Sequence, residues 1–248
     1  MALRTYAIGD IHGHLDKLRQ VHAWIADDRR HQGGDDVVVH IGDLVDRGPD
    51  SAGVVEYLRA GVVGGQPWVV LKGNHDRLMC WYLEQPSRVD PRLFEGLSWL
   101  HPRLGGLATL ASYGVDDAEL EDAARHGLAR AAVPDAHVAF LAGLDTVYCT
   151  DGVIFVHAGI RPGVALDQQA EQDLVWIREP FLSDTRDHGR LVIHGHTVVE
   201  EVTHYGNRIN IDTGAGFGGP LAVIVIEGRE AWRLSASGRE ALLPPGGR

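Results

Sequence analysis

The sequence predicts an α/β fold in which parallel strands are joined by helical crossovers. Three observations carry this reading. Short β-type apolar runs alternate with helical-period segments through the first third of the chain. Each of those runs ends in a glycine-marked polar cluster. The 248 residues, 44% of them hydrophobic, are enough for one substantial core, and one domain over 1–248 is expected.

Taken in order, Arg4 to Ile8 reads as a strand. Leu15, Leu18, Val21 and Ile25 then recur at helical spacing. "GGDD" at Gly33 to Asp36 is turn chemistry, and Val37 to Ile41 is a β-branched run suited to a buried strand. Asp50 and Ser51 open a second helix with Val54, Val55 and Leu58 on one face, and Trp68 to Leu71 is a third strand. A β-α-β-α-β order implies parallel strands and right-handed crossovers. From about 80 to about 145 the texture changes to prolines, aromatics and helical stretches such as "DAELEDAARHGLARA". A mostly helical, cap-like insertion beside the site is expected there. Strands return at Val153 to Val156, Leu191 to Ile193, Arg208 to Ile211 and Leu221 to Ile226, and "LPPGGR" reads as a loose tail.

The formal net charge of −11 argues against nucleic-acid or anionic-membrane partners. An anionic substrate stays compatible, because a bound cation inverts the field locally. Cys80 and Cys149 show no metal-type spacing, which predicts a reducing compartment. The N-terminus lacks a leader pattern and no run is long enough to span a bilayer, so a cytoplasmic protein is expected. Oligomeric state has no signature here.

The chemistry lies in the strand-end clusters: "GDIHG", "GDLVDRGP", "GNHD", "VHAG" and "HGHT". Ligands of open α/β sheets bind outside the carboxyl ends of strands, so these clusters should converge. They supply Asp10, His12, Asp43, Asn74, His157 and His196 as candidate metal ligands. An oxygen and imidazole set without thiolate suits manganese, iron, zinc or cobalt. One carboxylate, Asp43 above all, could bridge two ions roughly 3.5–4 Å apart, an arrangement that clamps both oxygens of an in-line displacement. His75, next to Asn74, is placed to protonate a departing alkoxide. Asp46 could orient that ring, and Arg47 could hold phosphoryl oxygens through paired hydrogen bonds. Each cluster alone is as well explained by a polar turn; their joint occurrence is not. Gly214 to Gly219 matches a dinucleotide G-x-G-x-x-G, but Pro220 and a β-rich run follow it. No helix can then present its N-terminus to a pyrophosphate, and the nucleotide reading fails.

In order and over nearly the whole chain, "GDIHG…GDLVDRG…GNHD…VHAG…HGHT…IDTG" resembles the phosphoprotein phosphatase family of calcineurin-like metallophosphoesterases, most of all its small bacterial and bacteriophage members. The resemblance implies a metallophosphoesterase fold, a sandwich of two mixed β-sheets flanked by helices. It implies two divalent ions, manganese first, with iron, zinc, cobalt or nickel as alternatives. One would be held by Asp10, His12 and Asp43, the other by Asp43, Asn74, His157 and His196. His75 and Asp46 would form the acid dyad, and Arg47 and Arg178 of "LVWIREP" would bind phosphate. The implied activity is hydrolysis of phosphomonoesters on a Ser/Thr or Tyr phosphoprotein, or on a small phosphoester, by a metal-bridging hydroxide attacking in line. Two features depart from a uniform pattern. Asp76 follows the Asn-His pair, as in symmetrical diadenosine-tetraphosphate hydrolases, whereas Asp46 is a residue those hydrolases tend to lack. That hydrolase activity and an inactive binding scaffold are the alternative readings. His194 is left between a structural role and an outer-shell one.

Overall fold

The computed structural model describes residues 4–116 and 120–246. Its elements are β1 (Arg4–Ile8), α1 (Leu15–Gln32), β2 (Val37–His40), α2 (Ser51–Val63), β3 (Trp68–Val70), α3 (Asn74–Glu84), α4 (Gly106–Ser112), α5 (Asp122–Ala132), α6 (Asp135–Ala142), β4 (Val147–Cys149), β5 (Val153–Val156), α7 (Glu171–Trp176), β6 (Leu191–His194), β7 (Thr203–His204), β8 (Arg208–Asn210), β9 (Val223–Glu227), β10 (Glu230–Ser235) and β11 (Gly238–Ala241).

The strands form two mixed sheets. One has the order β11-β10-β9-β1-β2-β3 and the other β4-β5-β6-β8-β7. The expected parallel triplet is present, with β1 paired to β2 and β2 to β3. The opposite edge of β1 takes β9 antiparallel, with Arg4 opposite Glu227. In the second sheet β5, β6 and β8 run parallel.

Side chains alternate across a strand, and this alternation builds two layers of core. Tyr6, Ile8, Val38, Val223 and Val225 pack against the helices. Ala7, Val39, Ile224 and Ile226 point the other way, onto Phe155, Ile193 and Ile209 of the second sheet. The sandwich is therefore an apolar seam between sheets with helices outside it. The Asp50 carboxylate caps α2 by accepting from the Gly53 amide at 2.8 Å.

Beyond the strands expected from sequence, β10 and β11 form a hairpin that extends the first sheet. Helix α3 begins at Asn74, so Cys80, from about which the helical insertion was expected, lies in mid-helix. Of the "DAELEDAARHGLARA" stretch, residues 117–119 lie outside the described residues, and the helix runs from Asp122.

Candidate functional site

Five strands of the two sheets deliver the site. Asp10 and His12 follow β1; Asp43, Asp46 and Arg47 follow β2; Asn74 and His75 open α3 just after β3. From the other sheet, His157 follows β5 and His196 follows β6. Asp10, His12, Asp43, Arg47, Asn74, His75, Arg178 and His196 line one cavity of about 500 Å³. His157 and Asp46 lie directly behind that wall, both fully buried. All ten residues expected at the site are thus brought to one place. Close approach fixes the sequence between them. A Cβ on Gly195 would lie 2.0 Å from Asp10 Oδ1, so only glycine lets the β6 end pass that carboxylate.

Asp43 is the hub. Its Oδ1 accepts from the His75 amide at 2.9 Å and lies 3.4 Å from His157 Nε2. Its Oδ2 lies 3.6 Å from His12 Nε2 and 4.0 Å from His75 Nε2. Among the described residues, His12, Asp43 and His75 form one group with ligand atoms within 4.8 Å of one another, and Asp43, His157 and His196 form a second. Asp10 belongs to neither group. Its Oδ2 accepts from the His196 amide at 3.1 Å, and its Oδ1 has no hydrogen-bond partner. Burial, then Asp212 and Asp43, push the Asp10 pKa well above the usual range.

The proton inventory fits a cation. His157 Nδ1 lies 3.1 Å from the Ile41 carbonyl and His12 Nδ1 lies 2.9 Å from the Val45 carbonyl. A carbonyl only accepts, so each Nδ1 carries hydrogen. Burial lowers the pKa of both rings and keeps them neutral, which leaves both Nε2 atoms bare. His157 Nε2 is then a lone pair 3.0 Å from a second acceptor, Asn74 Oδ1, beside the Asp43 carboxylate. His196 Nε2 also has no partner, and burial lowers its pKa well below that of a free imidazole. Such converging acceptors are costly in a buried site unless a cation satisfies them. Carbonyl-anchored imidazoles are the usual support of metal ligands. The residues present therefore fit a divalent metal.

Next to this cluster, His75 Nδ1 lies 2.6 Å from Asp46 Oδ2. Arg47 spans the rings of His12 and His75, donating from Nη1 to His12 Nε2 and from Nη2 to His75 Nε2, the latter at 3.0 Å. A guanidinium only donates, so in this arrangement the His75 proton sits on Nδ1, toward Asp46. Arg47 also stacks on Phe217, 4.6 Å from its ring centre. Arg178 stands exposed at the cavity mouth and lowers the pKa of both His157 and His196.

One side chain at the site, Asp212, was not picked out from sequence. Asp212 lines the cavity, and burial together with Asp43 pushes its pKa up to about 6. Its signal is the strand-end "IDTG" cluster, of the same type as those that gave the other candidates. Asp76 is buried and accepts from the Leu44 amide at 2.9 Å and the Gly73 amide at 2.8 Å. It ties two of the strand-end loops together. His194 turns away from the cluster. Its Nε2 lies 3.3 Å from Arg208 Nη1 and its ring packs against Phe181, which gives it a packing role in the second sheet.

Comparison with known proteins agrees with this geometry. The chain is 27% identical over 237 residues to the asymmetrical bis(5'-nucleosyl)-tetraphosphatase PrpE of Anoxybacillus flavithermus, covering 88% of each chain. It is 26% identical over 236 residues to serine/threonine-protein phosphatase 1 of Salmonella typhimurium, covering 90% of this chain and 92% of that one. The crystal structure of a cold-active protein-tyrosine phosphatase from a Shewanella species superposes with a TM-score of 0.61 at 16% identity, over 98% of this chain and 81% of that one. Residues 3–216 match the family of calcineurin-like phosphoesterases, and the chain belongs to that family.

Proposed function

We propose that this chain is a metal-dependent phosphatase with two divalent ions, manganese first, and that its substrate is a phosphoprotein. The observation that carries the reading is the pairing of the buried Asp46–His75 dyad with the acceptor cluster around Asp43. Asp10, His12 and Asp43 would hold one ion, and Asp43, Asn74, His157 and His196 the other. Bound there, such ions would supply an activated water and offset the charge that develops on phosphorus.

The chain's own groups do the rest. Arg47 and Arg178 bind the phosphoryl oxygens, as a guanidinium fork suits a phosphate. Once Arg47 engages phosphate, it no longer donates to His75 Nε2. That nitrogen can then carry the proton that goes to the leaving oxygen, while Nδ1–H stays on Asp46. The rim of the cavity carries Phe94 and Phe217, 76% and 67% exposed, as apolar surface for the group that bears the phosphate.

The test is turnover of manganese-loaded protein on a phosphopeptide and on diadenosine tetraphosphate, side by side. A kcat/KM in favour of the phosphopeptide is expected. A clear preference for the dinucleotide would replace this substrate with the tetraphosphate. His75→Ala is expected to lower kcat by about 10²–10⁴-fold, the usual contribution of a general acid, while the protein stays folded. Near-normal turnover in that variant would remove His75 as the acid.

A further inference from the structure

Asp46 is a carboxylate with no access to water, being 0% exposed. An ionised group so placed needs several donors, and His75 supplies only one. The other two come from the chain well beyond the strand-end loops. Trp99 Nε1 lies 2.9 Å from Asp46 Oδ2 and 3.1 Å from Oδ1. Thr109 Oγ1 donates to Asp46 Oδ1 at 2.7 Å. Both residues are themselves buried, at 4% and 0% exposure.

The direction of each bond follows from counting protons. The Asp46 amide donates to Thr109 Oγ1 at 2.8 Å and to Ser51 Oγ at 3.1 Å. The single hydroxyl proton of Thr109 is committed to the carboxylate, so Ser51 donates to Thr109 across 3.0 Å. Every bond in the cluster thereby has a consistent direction. Trp99 lies in the stretch between α3 and α4, and Thr109 lies in α4. The same stretch supplies Leu93, Phe94 and Leu97 to the cavity wall.

We propose that Trp99 and Thr109 are positioning residues for proton transfer. They fix the Asp46 carboxylate, so that His75 keeps Nδ1–H on it and Nε2 toward the leaving oxygen. The inference rests on the phosphatase reading above. Hydrolysis forms a P–O bond to a water oxygen and breaks the ester P–O bond. One proton passes from His75 Nε2 to the departing oxygen, and a proton from the attacking water restores the ring.

Leaving-group dependence separates this role from a merely structural one. A nitrophenolate departs without help, whereas an alkoxide needs the proton. In Thr109→Val and Trp99→Phe, kcat/KM on an alkyl phosphate should fall about tenfold or more, and on p-nitrophenyl phosphate less than about threefold. Thr109→Ser should restore the alkyl ester rate. Equal losses on both esters, or no loss on either, would overturn the proposal. A second measurement does not need turnover. In zinc-loaded protein, the downfield proton of the His75 Nδ1–H bond, assigned by its absence in His75→Ala, should shift or vanish in both variants and persist in Thr109→Ser. An unchanged signal in both variants would also overturn it. If the unsubstituted protein hydrolysed neither ester, the phosphatase reading would fail, and the proton signal alone would decide the role of Trp99 and Thr109.

Discussion

Among the described residues, five that are not glycine hold left-handed backbone: His12 (φ 46°), Asp43 (φ 50°), Asp46 (φ 77°), Arg47 (φ 68°) and His196 (φ 64°). All five belong to the candidate site. Such backbone costs on the order of 1–3 kcal/mol per residue and persists only where surrounding structure imposes it. The dihedrals turn each strand end back sharply enough to bring its side chain into the cluster. These same residues were legible in the sequence because each sits in a short glycine-marked cluster. Trp99 and Thr109 were not, since they meet Asp46 from 53 and 63 residues away and carry no local pattern. Gly216 shows how tightly one ligand is seated. A Cβ there would lie 2.6 Å from His12 Cδ2 and 3.0 Å from Arg47 Cδ. Gly216→Ala should therefore move the His12 ring and lower kcat/KM by about 10²-fold, the scale of an ångström's misplacement, with little change in Tm. An alanine variant of normal activity would mean that His12 is not held by this contact.

At the scale of elements, the parallel β-α-β-α-β unit was legible because its strands are continuous β-branched runs and its helices keep a clean apolar period. The β10–β11 hairpin was not. Its buried residues, Ala231 and Leu234, are three apart, which breaks the alternation that marks a strand. Between α1, α2 and β2 lies a relay that the sequence did not announce. His40 Nδ1 lies 3.1 Å from the Val69 carbonyl, His40 Nε2 lies 2.9 Å from His22 Nε2, and His22 Nδ1 lies 3.2 Å from the Tyr57 hydroxyl. The carbonyl fixes the direction: His40 donates to it, His22 donates to His40, and Tyr57 donates to His22. Both rings are therefore neutral. Burial pushes His40 down to about 4, and burial, His40 and Arg29 push His22 down to about 2. The unfolded chain takes up protons near pH 6.5, while the folded one does not. Stability contributed by the pair is thus complete above about pH 6.5 and falls as pH drops toward 4, by up to about 1.4 kcal/mol per pH unit for each ring. Urea midpoints from pH 7.5 to 5 should fall less steeply for a His22→Phe/His40→Leu double variant. Parallel slopes would show that the relay does not drive acid sensitivity.

At the scale of the molecule, the site straddles the two sheets. Asp10, Asp43 and Asn74 come from one, and His157 and His196 from the other. An ion held by both would fasten the sandwich at its open end. It should add about 2.7 kcal/mol when present at a hundred times its Kd. Chelation should lower Tm in the native protein and leave an Asp43→Asn variant unmoved; identical Tm values for the native protein with and without chelator would sink this. Below the site, fully buried Phe155 fills the seam between sheets, and Phe155→Ala should cost about 3–5 kcal/mol in urea unfolding. The seam was only partly readable from sequence. Its residues look like any apolar strand, and nothing local says which face meets the other sheet. The pairing of β1 with β9 has a last consequence, for the order of synthesis. The strand from Arg4 to Ile8 leaves the ribosome long before its antiparallel neighbour, which ends at Glu227. Until then the nascent chain carries a bare strand edge in the middle of its future sheet. That interval, and not the finished protein, is when the chain is most open to strand-adding partners and most in need of a chaperone.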